Sequence, residues 1–227
     1  QQRWRHQPAA GLPEDLSVTA VTPAAARVWH PARAWLLAGI YVALCLLVAQ
    51  LSRTLDTLQW PASTTSPWWP MALCTLVIVI AYGFIWPRGT FTDGRRRHPL
   101  TLIFGAAWGL AQGLWFLTLW RWIGALGWPA PIQVIASFVA IAGYAAAFQR
   151  LFWDQYVSPP HNLRAWNLRK VLCCHVPNLL CTLTYLALFD DGVLFVWWQM
   201  LALLLSAWAM RMPPPWDGYR GVAGEER

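Results

Sequence analysis

Residues 99–120 read PLTLIFGAAWGLAQGLWFLTLW, 22 positions without Asp, Glu, Lys or Arg. A helix rises about 1.5 Å per residue, so roughly 20 such residues cross a hydrocarbon core of about 30 Å. Gly105, Gly109 and Gly113 recur at intervals of four and leave a strip without side chains along one helical face. Lipid supplies no hydrophobic force between helices, so close backbone approach and dispersion must hold them together, and small residues permit that approach. The stretch predicts a membrane-spanning helix with another helix of the bundle seated in its glycine groove.

Working outward, five more charge-free stretches have the same character: Ala34 to Ser52, Pro67 to Trp86, Ala130 to Gln149, Val171 to Phe189 and Gly192 to Met210. The whole chain agrees with them. Of its 227 residues 57% are hydrophobic and 12% charged, against about a quarter charged in a soluble domain. The mean hydropathy is +0.38. That balance excludes a water-soluble globule. The expected fold class is an all-α integral membrane protein, a six-transmembrane-helix bundle.

Charge sets the expected orientation, because cytoplasmic loops retain Lys and Arg. One side collects Arg3, Arg5, Arg27, Arg33, Arg88, Arg95, Arg96, Arg97, Arg150, Arg164, Arg169, Lys170, Arg211, Arg220 and Arg227, while the other has Arg53 and Arg121. Fifteen of the 17 basic residues therefore share a side, which puts both the N and C termini in the cytoplasm of a plasma or bacterial-type inner membrane. The net charge of +7 is read as a record of insertion and not as a nucleic-acid footprint. Residues 1–33 hold four prolines and no apolar run of signal-peptide length, and are expected to be a cytoplasmic tail. Residues 34–211 form the transmembrane domain, and 212–227 a second tail after the Pro213-Pro214-Pro215-Trp216 stop.

All five cysteines, Cys45, Cys74, Cys173, Cys174 and Cys181, fall inside expected spans, which argues against disulfides. Cys173 and Cys174 diverge by about 100° on a helix, so with His175 they lack the geometry of a metal site, and no metal is assigned. Most of the 18 tryptophans stand near span ends, Trp68, Trp69, Trp86, Trp122 and Trp128 among them, as expected of an interfacial belt. Trp108 and Trp115 lie deeper and share a helical face with Gln112, suggesting either packing or an aromatic wall around a ligand.

The densest polar signal runs from the end of the fourth span through the fifth. It begins with Trp153, Asp154, Gln155 and Tyr156, passes the Pro159-Pro160-His161-Asn162 turn, and continues through Arg169, Lys170, His175 and Asn178. Within the fifth span His175, Asn178, Thr182 and Tyr185 recur at intervals of three, four and three, which places all four on one face. Polar groups at such depth turn toward the bundle or a watered cavity, and ionisable ones are functional candidates. Pro177 cannot donate to the Cys173 carbonyl and should disturb the helix beside them.

Asp154, His161 and His175 are the candidate proton-moving, catalytic residues; the alternative for Asp154 is a pair with Arg150, and for His175 a bond to Gln112, Gln133 or Gln199. Tyr156, Asn162, Lys170, Asn178, Thr182, Tyr185, Trp108, Gln112 and Trp115 are candidate substrate contacts, with Lys170, Arg164 and Arg169 suited to an anionic headgroup. No Walker loop, nucleophile elbow, HExxH pair or histidine box is present in the sequence, and it names no cofactor.

These features lead to the expectation of a membrane-embedded enzyme acting by acid/base chemistry on a lipophilic, isoprenoid- or quinone-like substrate, for example a cyclase or isomerase. The cavity would be Trp-lined and open to the cytoplasmic side. The expected partners are the bilayer and that small molecule. Size, several spans and aromatic content resemble those of small multi-pass terpene cyclases, but the acidic motif of that family has no residue-by-residue counterpart here, and no role is carried over. A non-catalytic subunit of a larger membrane complex, binding a partner, quinone or pigment, is the second reading. A small-solute channel or transporter is the third.

Overall fold

The computed structural model describes residues 31–58, 68–86, 98–148, 168–188, 192–210 and 214–216, and these are helices and the turns between them. Helix α1 is Pro31–Leu51, followed by a short 3-10 turn at Leu55–Thr57. Helix α2, Trp68–Ile80, runs on into a wide π turn over Ala81–Ile85. Helices α3 (Leu100–Gly124) and α4 (Ala130–Phe148) follow. Helix α5 opens at Leu168–Lys170, winds through a second π turn at Val171–His175 and continues over Val176–Leu188; α6 is Val193–Met210. Each apolar stretch picked out in the sequence thus carries one helix.

Four of these segments, Trp68–Ile85, Leu100–Gly124, Ala130–Ala147 and Val171–Leu188, are long and apolar enough to cross a membrane. Shorter apolar helices occupy Trp35–Leu51 and Val193–Ala209. The outer faces are apolar as well: Leu44, Leu73, Ile135, Val139 and Leu180 are all exposed. In a soluble protein such faces would be buried together, and their exposure over several helices fits a lipid surround.

Helix α3 is the centre of the bundle, and α6 lies along it as the glycine spacing predicts. A Cβ on Gly105 would stand 2.7 Å from Leu204 Cα, one on Gly109 2.5 Å from Met200 Cα, and one on Gly113 3.1 Å from Val196 Cα. Three successive turns of α3 therefore press directly on α6 backbone. Helix α1 packs on another face of α3, α4 on α3 and α5, and α2 on α5 and α6.

At one end, α1 finishes in a left-handed turn at Arg53 (φ 56°), where Thr54 N returns to Ala49 O. Thr54 is buried, and its hydroxyl meets that of Thr118 at 2.8 Å. Arg121 donates to Thr54 O at 3.1 Å and Thr57 O at 3.4 Å. Helix α3 extends to Gly124 rather than ending near Trp120, and its Arg121 side chain ties back to the turn that follows α1.

The disturbance expected at Pro177 takes the form of the π turn just before it. A proline in a helix leaves a carbonyl without its usual amide partner, and a wider turn absorbs the misfit. In the sequence Pro87 follows Ala81–Ile85 at the same two-residue offset at which Pro177 follows Val171–His175, and a π turn forms there too, with Trp86 N bonded to Ala81 O at 2.8 Å. The two π turns pack on each other, and Cys174 Sγ donates to that same Ala81 carbonyl at 3.4 Å.

Candidate functional site

Beside the paired π turns lies a half-open cavity of about 110 Å³. Helix α2 contributes Tyr82, with Trp86 just beyond its π turn; α3 contributes Trp108, Gln112 and Phe116; α4 contributes Tyr144 and Ala145; α5 contributes His175 and Asn178; and α6 contributes Leu203 and Ser206. Five helices thus converge on one space. These positions lie toward the ends of α2, α4 and α6 and near the middles of α3 and α5. The cavity therefore reaches from mid-bundle toward the end at which α2, α4 and α6 finish.

Helical periodicity explains why α5 offers these side chains. Leu172, Val176 and Leu180 are exposed on one side, whereas Cys174, Cys181, Thr182 and Tyr185 are buried and His175 and Asn178 half-buried on the other. The polar stripe faces the bundle, where carbonyls, amides and rings can meet it. Its members have different surroundings. The His175 ring meets the edge of Trp86 at 5.0 Å between centroids and an interplanar angle of 84°. Asn178 is hydrogen-bonded to the Tyr82 hydroxyl. Thr182 accepts from Gln199 Nε2 at 2.9 Å, both side chains fully enclosed, and Tyr185 stacks on Trp198 at 5.1 Å.

The cavity brings together His175, Asn178, Trp108 and Gln112. Thr182 and Tyr185 lie further along α5, outside its lining, where they join α5 to α6. Trp115 is also outside the lining, its ring 5.8 Å from Tyr144 and 5.9 Å from Trp122. Asp154, Tyr156, His161 and Asn162 lie outside the described residues, as do Arg150 and Arg164, and Lys170 stands in the first turn of α5. Of the three glutamines weighed as partners for His175, Gln199 is bonded to Thr182, Gln133 stands against Gly124 at the far end of the bundle, and Gln112 shares the cavity.

Seven lining residues were not picked out as site residues from sequence: Tyr82, Trp86, Phe116, Tyr144, Ala145, Leu203 and Ser206. Trp86 is the clearest correction. Its place at the end of a span suggests the interfacial belt, but it is 2% exposed and packs against His175. The π turn rotates it inward. Tyr144 meets Phe116 edge-on at 5.7 Å, and its hydroxyl bonds to Tyr41 on α1 at 2.5 Å. Tyr41 in turn lies 5.1 Å from Trp108. The available signal was a single hydroxyl in an otherwise apolar helical turn, as at Ser206 and Tyr144, since such a group needs a partner inside the bundle.

Near the same end, His98 Nδ1 accepts the Leu100 amide at 3.2 Å, and its ring meets Trp216 edge-on at 5.7 Å. It closes the start of α3. Among the described residues no three His, Cys, Asp or Glu side chains cluster closely enough to hold a metal. No family model, curated protein or solved structure matches the chain.

Chemically, the site offers an imidazole and neutral hydrogen-bonding groups within aromatic walls. Among the described lining residues there is no carboxylate. Such a space suits an uncharged ring better than an ion, because the walls offer dispersion and ring contacts while the polar atoms fix orientation.

Proposed function

We propose that this chain is a six-span protein of a plasma or bacterial inner membrane, with both termini cytoplasmic, that binds a lipophilic isoprenoid- or quinone-like molecule and acts on it by acid/base chemistry. The observation that carries the proposal is the aromatic cavity with His175, Asn178 and Gln112 in its wall, reaching from mid-bundle toward the end at which α2, α4 and α6 finish. His175 is the proton-moving group within the described cavity, since an imidazole exchanges a proton near neutral pH. Asp154 and His161 belong to the connection whose ends, at α4 and α5, flank the cavity, and they are proposed to assist from the cytoplasmic side. Asn178 and Gln112 orient the bound molecule, and Trp86 and Trp108 exclude water from it.

The test has two parts. Lipid extracts of the gently purified protein are analysed by mass spectrometry for an enriched lipophilic ring compound, and its conversion is then followed in membranes carrying His175→Ala, Asp154→Asn or His161→Ala. Loss of turnover with retained binding in at least the His175 variant is the expected outcome; unchanged turnover in all three would remove the catalytic reading.

A second reading, a non-catalytic subunit that holds the same ligand for a partner chain, is favoured by the absence of a carboxylate among the described lining residues. Size measurement in mild detergent separates the two: an active monomer supports the enzyme, and a chain stable only with partner chains supports the subunit.

A further inference from the structure

A π turn holds one residue more between its hydrogen-bonded partners than a regular helical turn. Its return to the regular pattern therefore shifts whatever lies beyond it by one helical position, about 100° and 1.5 Å. Two such turns, Ala81–Ile85 and Val171–His175, pack on each other here, each just ahead of a proline. A proline has no amide to offer the carbonyl four residues earlier, which removes one bond that would favour the regular pattern.

Three contacts link the turns. Cys174 Sγ donates to Ala81 O at 3.4 Å, the same carbonyl that accepts the π bond of α2 from Trp86 N. The His175 ring meets Trp86 at 5.0 Å. Asn178, in the regular part of α5, is bonded to the Tyr82 hydroxyl. That part of α5 is held to α6 by the Thr182–Gln199 bond and the stack of Tyr185 on Trp198, so a change in the α5 turn falls on residues 168–175. Such a change carries Cys174 off the Ala81 carbonyl and His175 off Trp86. A change in the α2 turn moves Trp86 and breaks the same two contacts from the other side. Trp86 and His175 both line the cavity.

We propose that the paired π turns are one conformational device: both keep the wide pattern or both return to regular helix, and the return takes Trp86 and His175 out of the cavity wall. This coupling does not depend on the chemistry proposed for the cavity.

The experiment restores the missing amide with Pro177→Ala in the full chain in detergent micelles. Amide exchange is followed by mass spectrometry in segments 168–176 and 79–86, and both are expected to exchange at least about threefold more slowly. Trp86, 2% exposed in the wide pattern, is expected to be oxidised faster by hydroxyl radicals. Pro131→Ala, in the first turn of α4, is the control and should change neither segment. Adding Cys174→Ala to Pro177→Ala removes a link, and the effect is then expected to stay within 168–176. A Pro177→Ala chain that changes 168–176 but leaves 79–86 and Trp86 as they were overturns the proposal. Should that variant fail to fold, Pro87→Ala is read in the opposite direction, from 79–86 to 168–176. No change at either segment in either variant also overturns the proposal, because the turns then have no second form.

Discussion

Gly109→Ala tests the contact that organises the bundle. A methyl group there would stand 2.5 Å from Met200 Cα, 2.7 Å from Gln199 O and 3.1 Å from Leu203 Cβ. Ordinary carbon contacts lie at about 3.5 to 4.0 Å, so α3 and α6 must separate by about 1 Å. The obstacle is backbone, which no rotamer change can move aside. Overpacking of this kind costs about 1 to 3 kcal/mol, and replacing a helical glycine by alanine returns about 0.5 to 1 kcal/mol. The close approach to Met200 Cα points to the upper part of that range and to a net loss of about 2 kcal/mol, which lowers the folded-to-unfolded ratio about 30-fold.

Gly39 and Gly143 are the internal controls, since a Cβ on either meets nothing within 4 Å. Their alanine variants should be neutral, or stabilised by about 0.5 to 1 kcal/mol. Reversible unfolding in mixed micelles, driven by a denaturing detergent and followed by tryptophan fluorescence and helical circular dichroism, measures all three variants. If Gly109→Ala proved as stable as Gly39→Ala, the argument that α6 is seated on bare α3 backbone would be wrong.

The hydrogen bond between Thr182 and Gln199 should contribute about 1 kcal/mol between α5 and α6, within the range found for interhelical bonds in membrane proteins. Thr182→Val and Gln199→Leu in a double-mutant cycle measure it, and a coupling energy of zero would show that burial alone holds these residues. Arg121→Leu removes the donors to Thr54 O and Thr57 O. Amide exchange at residues 52–58 is expected to accelerate while the centre of α3 keeps its protection, and unchanged exchange would assign the turn to the Thr54–Thr118 bond instead.

Helix positions were legible in the sequence because lipid imposes a simple rule: about 20 uncharged residues must satisfy their own backbone hydrogen bonds. The groove on α3 was legible because three glycines at a spacing of four have one structural consequence wherever a neighbouring helix lies. The stripe on α5 was legible as a face, since its period matched the helix. Its division was not. Nothing in the spacing of His175, Asn178, Thr182 and Tyr185 separates the two that border a cavity from the two that tie α5 to α6. Trp86 was misplaced for a related reason, because a tryptophan at a span end reads the same whether its helix turns it toward lipid or inward.

By itself, the sequence determined where the helices run, which α3 face had to be covered, and which α5 face could not meet lipid. These properties follow from local composition and from the 3.6-residue period, and each can be read along one helix. Only the tertiary structure decided that α6 fills the groove, that two π turns meet through Cys174 and Ala81, and that Tyr82, Trp86, Tyr144 and Ser206 join His175 and Asn178 around one space. Convergence of five helices depends on their relative rotation and depth, set by steric contacts between residues far apart in the chain, which no single helix encodes.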